Sequence, residues 1–162
     1  MKKKLLIGIV FCLILLTGCG TNENNSGKDL TKGTLTCTKT EYDEDGYKTT
    51  DTMVVKYKNN IVTSVSETNV SEIDSSIMDM TLAFGNLFAE KLSEIDGINV
   101  KYTKVNEKTL QFTIDVDYSK VELDKVKQIL GDAYGEKQAS MYTKNIKLDT
   151  FKNDILNNYT CE

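Results

Sequence analysis

Residues 110–118 read LQFTIDVDY, and no other stretch restricts the fold so tightly. Leu110, Phe112, Ile114, Val116 and Tyr118 alternate with Gln111, Thr113, Asp115 and Asp117. A period of two puts the first set on one face of a strand and the second on the other. One apolar face and one wet face mean an antiparallel sheet packed on one side only. Ile98 to Val105 supplies a hairpin partner across Asn106-Glu107-Lys108-Thr109.

The other strands lie upstream. Thr34 to Tyr42 is rich in threonine and ends at Asp43-Glu44-Asp45-Gly46, a turn in which Gly46 suits a positive φ. Tyr47 to Lys58 follows, with Tyr47, Met53, Val55 and Tyr57 on one face; Thr49 and Asp51 interrupt that face. Lys48, Thr50, Thr52, Val54, Lys56 and Lys58 take the other. Asn59-Asn60 is a two-residue hairpin loop, since asparagine tolerates the left-handed conformation. Ile61 to Val70 is a third strand, with Ile61, Thr63 and Val65 opposed to Val62, Ser64 and Ser66.

After the third strand the period changes. Ile77, Met80, Phe84, Leu87, Phe88, Lys91 and Ile95 step by three or four, the mark of an amphipathic helix covering the sheet. Ser76 and Asp79 have the spacing of a capping box, and Gly97 closes the helix. Gly85, in mid-helix, points to close packing against a neighbour. Val121 to Leu130 is a short helix with Leu123, Val126 and Leu130 on its stripe, ended by Gly131. Leu148, Phe151, Ile155 and Tyr159 mark a last helix capped by Asp149 or Thr150. The order β-β-β-α-β-β-α-α gives one α+β domain over residues 33–162. It has a single antiparallel sheet of about five strands and helices packed on one face.

The N-terminus addresses location. Lys2, Lys3 and Lys4 precede an apolar run from Leu5 to Leu16, too short for a spanning helix, which needs about 20 apolar residues. Leu16-Thr17-Gly18-Cys19 resembles the lipobox of bacterial lipoproteins. The resemblance implies cleavage before Cys19 and a diacylglyceryl thioether on its sulfur, so residues 1–18 read as a lipoprotein signal peptide. Residues 19–32 read as the lipidated N-terminus and a flexible tether. Each buried methylene adds about 0.8 kcal/mol, and two acyl chains hold where one is marginal. Plain secretion is the alternative. Cys12 falls in the removed segment.

Three of the 20 basic residues leave with the signal, so 17 remain against 24 acids, a net charge of about −7. The chain has no arginine, which removes forked phosphate recognition and argues against nucleic acid as a partner. It has no histidine, which removes the commonest general base and metal ligand. Ser-His and Cys-His nucleophile arrangements are therefore excluded. No cofactor, metal ligand set or catalytic residue is expected.

Cys37 and Cys161 are the only other cysteines downstream of Cys19, one near each end of the domain. Outside the cytosol such a pair suggests a disulfide; the alternative is a buried free Cys37 and a frayed Cys161. Glu41, Asp43, Asp45 and Gly46 have the spacing of half a calcium loop. Thr52 stands where its bidentate glutamate belongs, so a solvated acidic turn is expected instead. Asp115 and Asp117 share a wet strand face without a visible cleft, which favours a solubilising role. The eight tyrosines read mainly as residues at a core margin.

Lipobox, threonine- and lysine-rich strands beginning TLTCTKTEYDEDGYKTT, a long helix, a hairpin and the closing FKNDILNNYTC together resemble the YehR-like bacterial lipoprotein family. The resemblance implies a small α+β fold at the envelope surface. It carries over no functional residue except Cys19. The expected protein is a membrane-anchored extracytoplasmic lipoprotein, attached through diacylglyceryl-Cys19 to the outer face of the bacterial cell membrane. Its expected role is a non-enzymatic binding or interaction module of the cell envelope. A peptide, a wall polymer or another envelope protein is the ligand class, and the wet face of the sheet the candidate surface. A structural assembly or stress factor is the alternative, and a carboxylate-only enzyme ranks last.

Overall fold

Two asparagines set the tightest reversal between the first three strands. Asn59 and Asn60 take φ of 51° and 61°, the paired left-handed geometry that matches the twist of a two-residue hairpin. They join β2 (Lys48–Lys58) to β3 (Ile61–Glu72). β1 (Lys32–Tyr42) reaches β2 through the acidic turn, where Gly46 has φ of 82°. The computed structural model describes residues 32–130 and 144–162. The signal segment, the lipobox with Cys19, Gly131, Tyr134 and Tyr142 lie outside the described residues.

A 3-10 turn, Ser75–Ile77, leads into α1 (Met78–Ser93), followed by β4 (Ile98–Asn106), β5 (Thr109–Asp117), α2 (Leu123–Leu130), α3 (Leu148–Asp154) and β6 (Thr160–Cys161). The strands form one antiparallel sheet in the order β4-β5-β3-β2-β1-β6. The sheet thus has six strands rather than about five. β6 is only two residues long, opposite Thr38 and Cys37, and is too short to show any period. Among the described residues no helix is long and apolar enough to cross a membrane.

The core lies on one face. Leu110, Phe112, Ile114, Val116 and Tyr118 are all buried, as their alternation requires. Ile98 and Val100 of β4, Val62 and Val65 of β3, Met53 and Val55 of β2 and Cys37 of β1 join them. Val62 and Val65 have opposite parity, yet both face inward. Tyr57 pairs with Val62 and Lys56 with Ser64, so Thr63 is an extra residue that resets the alternation. Thr63 uses the bulge: its hydroxyl donates to the Lys56 carbonyl at 3.1 Å, and its own carbonyl accepts from Tyr118 N–H at 3.1 Å.

α1 lies against β4 with a different face from the expected one. Met78, Thr81, Gly85, Ala89 and Leu92 are buried, whereas Met80, Phe84 and Leu87 point outward. The contact face is turned by roughly 100°, about one residue of helix. Small side chains explain the difference: Thr81, Gly85 and Ala89 let the helix backbone approach the sheet, and the Tyr102 ring fills the space over Gly85. Phe88 and Ile95 still reach the core. The entry also differs. Asp74, not Ser76, caps the leading turn, its carboxylate accepting from Ser76 N–H at 2.8 Å; α1 itself has no side-chain cap.

α3 seals the end near the asparagine hairpin. Leu148 N–H donates to the Asn60 carbonyl at 2.9 Å, and Val62 N–H to the Ile146 carbonyl at 3.0 Å. Leu148 and Phe151 are fully buried. Neither Asp149 nor Thr150 caps α3. The residue before the helix is Lys147, and the Asp149 carboxylate instead accepts from the Asn60 side chain at 3.0 Å.

Candidate functional site

The ladder registers that build the apolar core also gather a group of polar side chains on the same face. Lys39 stands beside Asp51 and Asn69 across β1, β2 and β3. One row away Glu41 stands beside Thr49 and Ser71. Glu67, opposite Met53 and Ile114, sits where this group meets the apolar core. Tyr159, just before β6, covers it from the edge.

The polar atoms are tied in sequence. The Thr49 hydroxyl donates to Ser71 at 3.2 Å, the Ser71 hydroxyl to the Asn69 side-chain Oδ1 at 2.5 Å, and the Asn69 side-chain amide to Asp51. Lys39, its side chain only 9% exposed, makes a 2.6 Å ion pair with Glu41 and places its ammonium 5.9 Å from the Tyr159 ring centre. The second carboxylate oxygen of Glu41 is buried and has no hydrogen-bond partner among the described residues.

Asp51 and Glu67 share this buried space, and their protonation reflects it. Burial pushes the Glu67 carboxyl up to about 7, with the Asp51 charge adding to the effect. Burial also raises Asp51, against the Asn69 hydrogen bond and the Lys39 charge, which lower it. Tyr159 is held far above the ordinary phenol range, first by burial and then by the charges of Asp51, Glu67 and Glu41. Glu67 therefore holds its proton closer to neutrality than an ordinary carboxyl does.

An approach exists at the edge of the sheet. β6 covers β1 only around Cys37 and Thr38, and beyond it an open groove of about 660 Å³ is lined by Thr38, Lys39, Thr40, Glu41, Asn158 and Thr160. Lys39 and Glu41 link the groove to the buried polar group. Cys37 and Cys161 are bonded to each other, which pins β6 and fixes the near wall of the groove.

The other candidates are dispersed. Asp43 spends its carboxylate on its own turn, accepting from Asp45 N–H at 3.0 Å and Tyr47 N–H at 2.8 Å. Glu41 faces the buried group instead, so the half calcium loop does not assemble. No group of three or more metal-ligating side chains occurs among the described residues. Asp115 accepts from Ser66 at 2.6 Å and from Asn99 at 3.4 Å. Asp117 accepts from Ser119 and is lowered by it. The open face around them is a polar plane, with Thr38, Thr52, Thr68 and Thr113 in one row across four strands.

Reading the sequence alone missed Lys39, Glu67, Asn69 and Tyr159 as a group. A signal was present: Thr49 and Asp51 break the apolar face of β2 at the point where the polar group begins.

No family model matches the chain, and no curated protein does. Its fold is similar to that of a Streptococcus pneumoniae TIGR4 protein solved by NMR. The two are 15% identical, with a TM-score of 0.55 over 90% of this chain and 94% of that one. It is also similar to the NMR structure of the E. coli YehR protein, at 15% identity and a TM-score of 0.57 over 83% of this chain and 93% of that one. At such identity the likeness concerns the backbone alone: this chain has a YehR-like α+β fold.

Proposed function

We propose that this chain is a lipid-anchored extracytoplasmic lipoprotein that acts as a non-enzymatic binding module of the cell envelope. Anchoring rests on Leu16-Thr17-Gly18-Cys19 after the apolar run. The disulfide between Cys37 and Cys161 supports an oxidising compartment. The observation that carries the binding half is the open groove beside β1, lined by Thr38, Lys39, Thr40, Glu41, Asn158 and Thr160. Its walls are polar, and Glu41 keeps a carboxylate oxygen without a partner among the described residues, which suits a peptide or wall polymer bearing amino groups.

Two measurements test the reading. The N-terminal peptide of the cellular protein is expected to begin at Cys19 with diacylglyceryl mass, and Cys19→Ser to leave the membrane fraction. An intact Met1 on cytosolic protein would overturn the anchor. Calorimetric titration with soluble wall-polymer fragments and with lysine-containing peptides is expected to give binding that Glu41→Gln weakens. Heats that Glu41→Gln leaves unchanged would overturn the groove.

A second reading has specific support. It rests on Glu67, a buried carboxyl pushed up to about 7 with the Asp51 charge adding to the effect, since a raised carboxyl near a second one is what carboxylate acid–base chemistry uses. Turnover abolished by Glu67→Gln would favour it over a binding module.

A further inference from the structure

We propose that the outer face of α1 docks an amphipathic helix of a partner protein whose apolar stripe is flanked by lysine or arginine. This surface is separate from the β1 groove, and the proposal stands whether or not Cys19 carries lipid.

α1 has two apolar faces, and the sheet uses one. Met78, Thr81, Gly85, Ala89 and Leu92 satisfy the contact with β4. Phe84 is 59% exposed, Leu87 62% and Met80 39%. A helix packed on one side ordinarily turns charged residues to water on the other. Here three large side chains at i, i+4 and i+7 form a continuous stripe, the kind of patch that marks an interaction site.

The spacing defines the shape of the partner. Ile77, Met80, Phe84 and Leu87 step by three, four and three, the apolar spacing of a two-helix knobs-into-holes contact, and Lys91 closes the stripe at its far end. From Met80 to Leu87 the exposed seam rises about 10 Å, enough for about two turns of a partner helix. Close packing of Gly85 on Tyr102 holds the seam to the sheet, so little order has to be gained on binding.

Charge defines the chemistry of the partner. Asp79, with its side chain 95% exposed, and Glu90 and Glu94 rim the stripe. Lys91 is engaged with Glu94 at 2.7 Å, and Lys104 with Glu107 at 3.0 Å and Asp79 at 3.9 Å. The rim is net acidic. A second copy of this helix brings the same charge, and an anionic lipid surface is repelled. A basic flank is complementary.

The test uses the full chain in phosphatidylcholine nanodiscs, with empty discs as blank. Two fluorescent 21-residue peptides share a leucine heptad seam, one flanked by lysine and the other by glutamate. The lysine peptide is expected to bind at least tenfold more tightly than the glutamate peptide. F84S/L87S is expected to weaken it at least tenfold, with an unchanged circular dichroism melt, while Thr113→Ala on the open sheet face leaves it unaltered. Equal affinity for both peptides, no binding of either, or indifference to F84S/L87S would overturn the proposal. So would self-association through this face, read as dimers of Leu87→Cys linked by a bifunctional maleimide without peptide.

Discussion

Gly85 of α1 lies so close to the ring of Tyr102 on β4 that a Cβ on the glycine would stand 2.7 Å from the ring carbons. The ring cannot swing away freely, because it packs on Phe112 with centroids 4.9 Å apart. Gly85→Ala gains about 1 kcal/mol of helix propensity. Overpacking costs about 1–3 kcal/mol. A net loss of up to about 2 kcal/mol is expected, read as a lowered Tm. Gly33→Ala is the contrast: its Cβ meets the far end of Tyr57, which can move, and a smaller loss is expected.

Glu67 gives stability an unusual pH dependence. Its folded value, about 7, lies above its ordinary 4.5, so between these values the folded chain holds a proton that the unfolded chain has released. That stability is fully present below about 4.5 and is lost as pH rises through about 7. The expected loss is about 2 kcal/mol, from denaturant titrations at pH 5 and pH 8. Asp51, Glu41, Lys39 and Tyr159 face the same space, and Asp51 shares the sign. Glu67→Gln is expected to flatten the slope; a wild-type slope of zero would contradict the assignment.

Cys37 and Cys161 close a separation of 124 residues. On the chain-entropy model the bond is worth about 4–5 kcal/mol, an upper figure where the reduced chain keeps structure. C37A/C161A is expected to lose at least 2 kcal/mol. Amide exchange should accelerate at Thr36, whose N–H donates to the Glu162 carbonyl at 3.0 Å.

The acidic turn is expected to ignore calcium. Millimolar calcium should leave the Tm unchanged, since Asp43 is spent on Asp45 and Tyr47 N–H. Asp43→Ala is expected to cost about 1 kcal/mol through those two lost hydrogen bonds.

The strands were legible because period two survives in β5 and in most of β2, and Asn59-Asn60 marks its own turn. Besides the two-residue β6, three features were not legible, each for a physical reason. The bulge at Thr63 depends on pairing with β2, so nothing local announces that Val62 and Val65 share a face. The face of α1 was misread because Phe84 and Leu87 outweigh Gly85 and Ala89 on any hydrophobicity scale, while close approach favours the small residues. The polar group exists only across three strands. Asp51 was visible as an interruption, but Glu67 and Asn69 join it through register alone.

The stitch between β1 and β6 also sets an order of events during biogenesis. The outer flank of the first strand has to wait for residues made 124 positions later. Until they arrive that border stays bare, and bare borders invite neighbours. Local hairpins are therefore expected to close early and the sealing of the sheet to come last, when an oxidant can lock it.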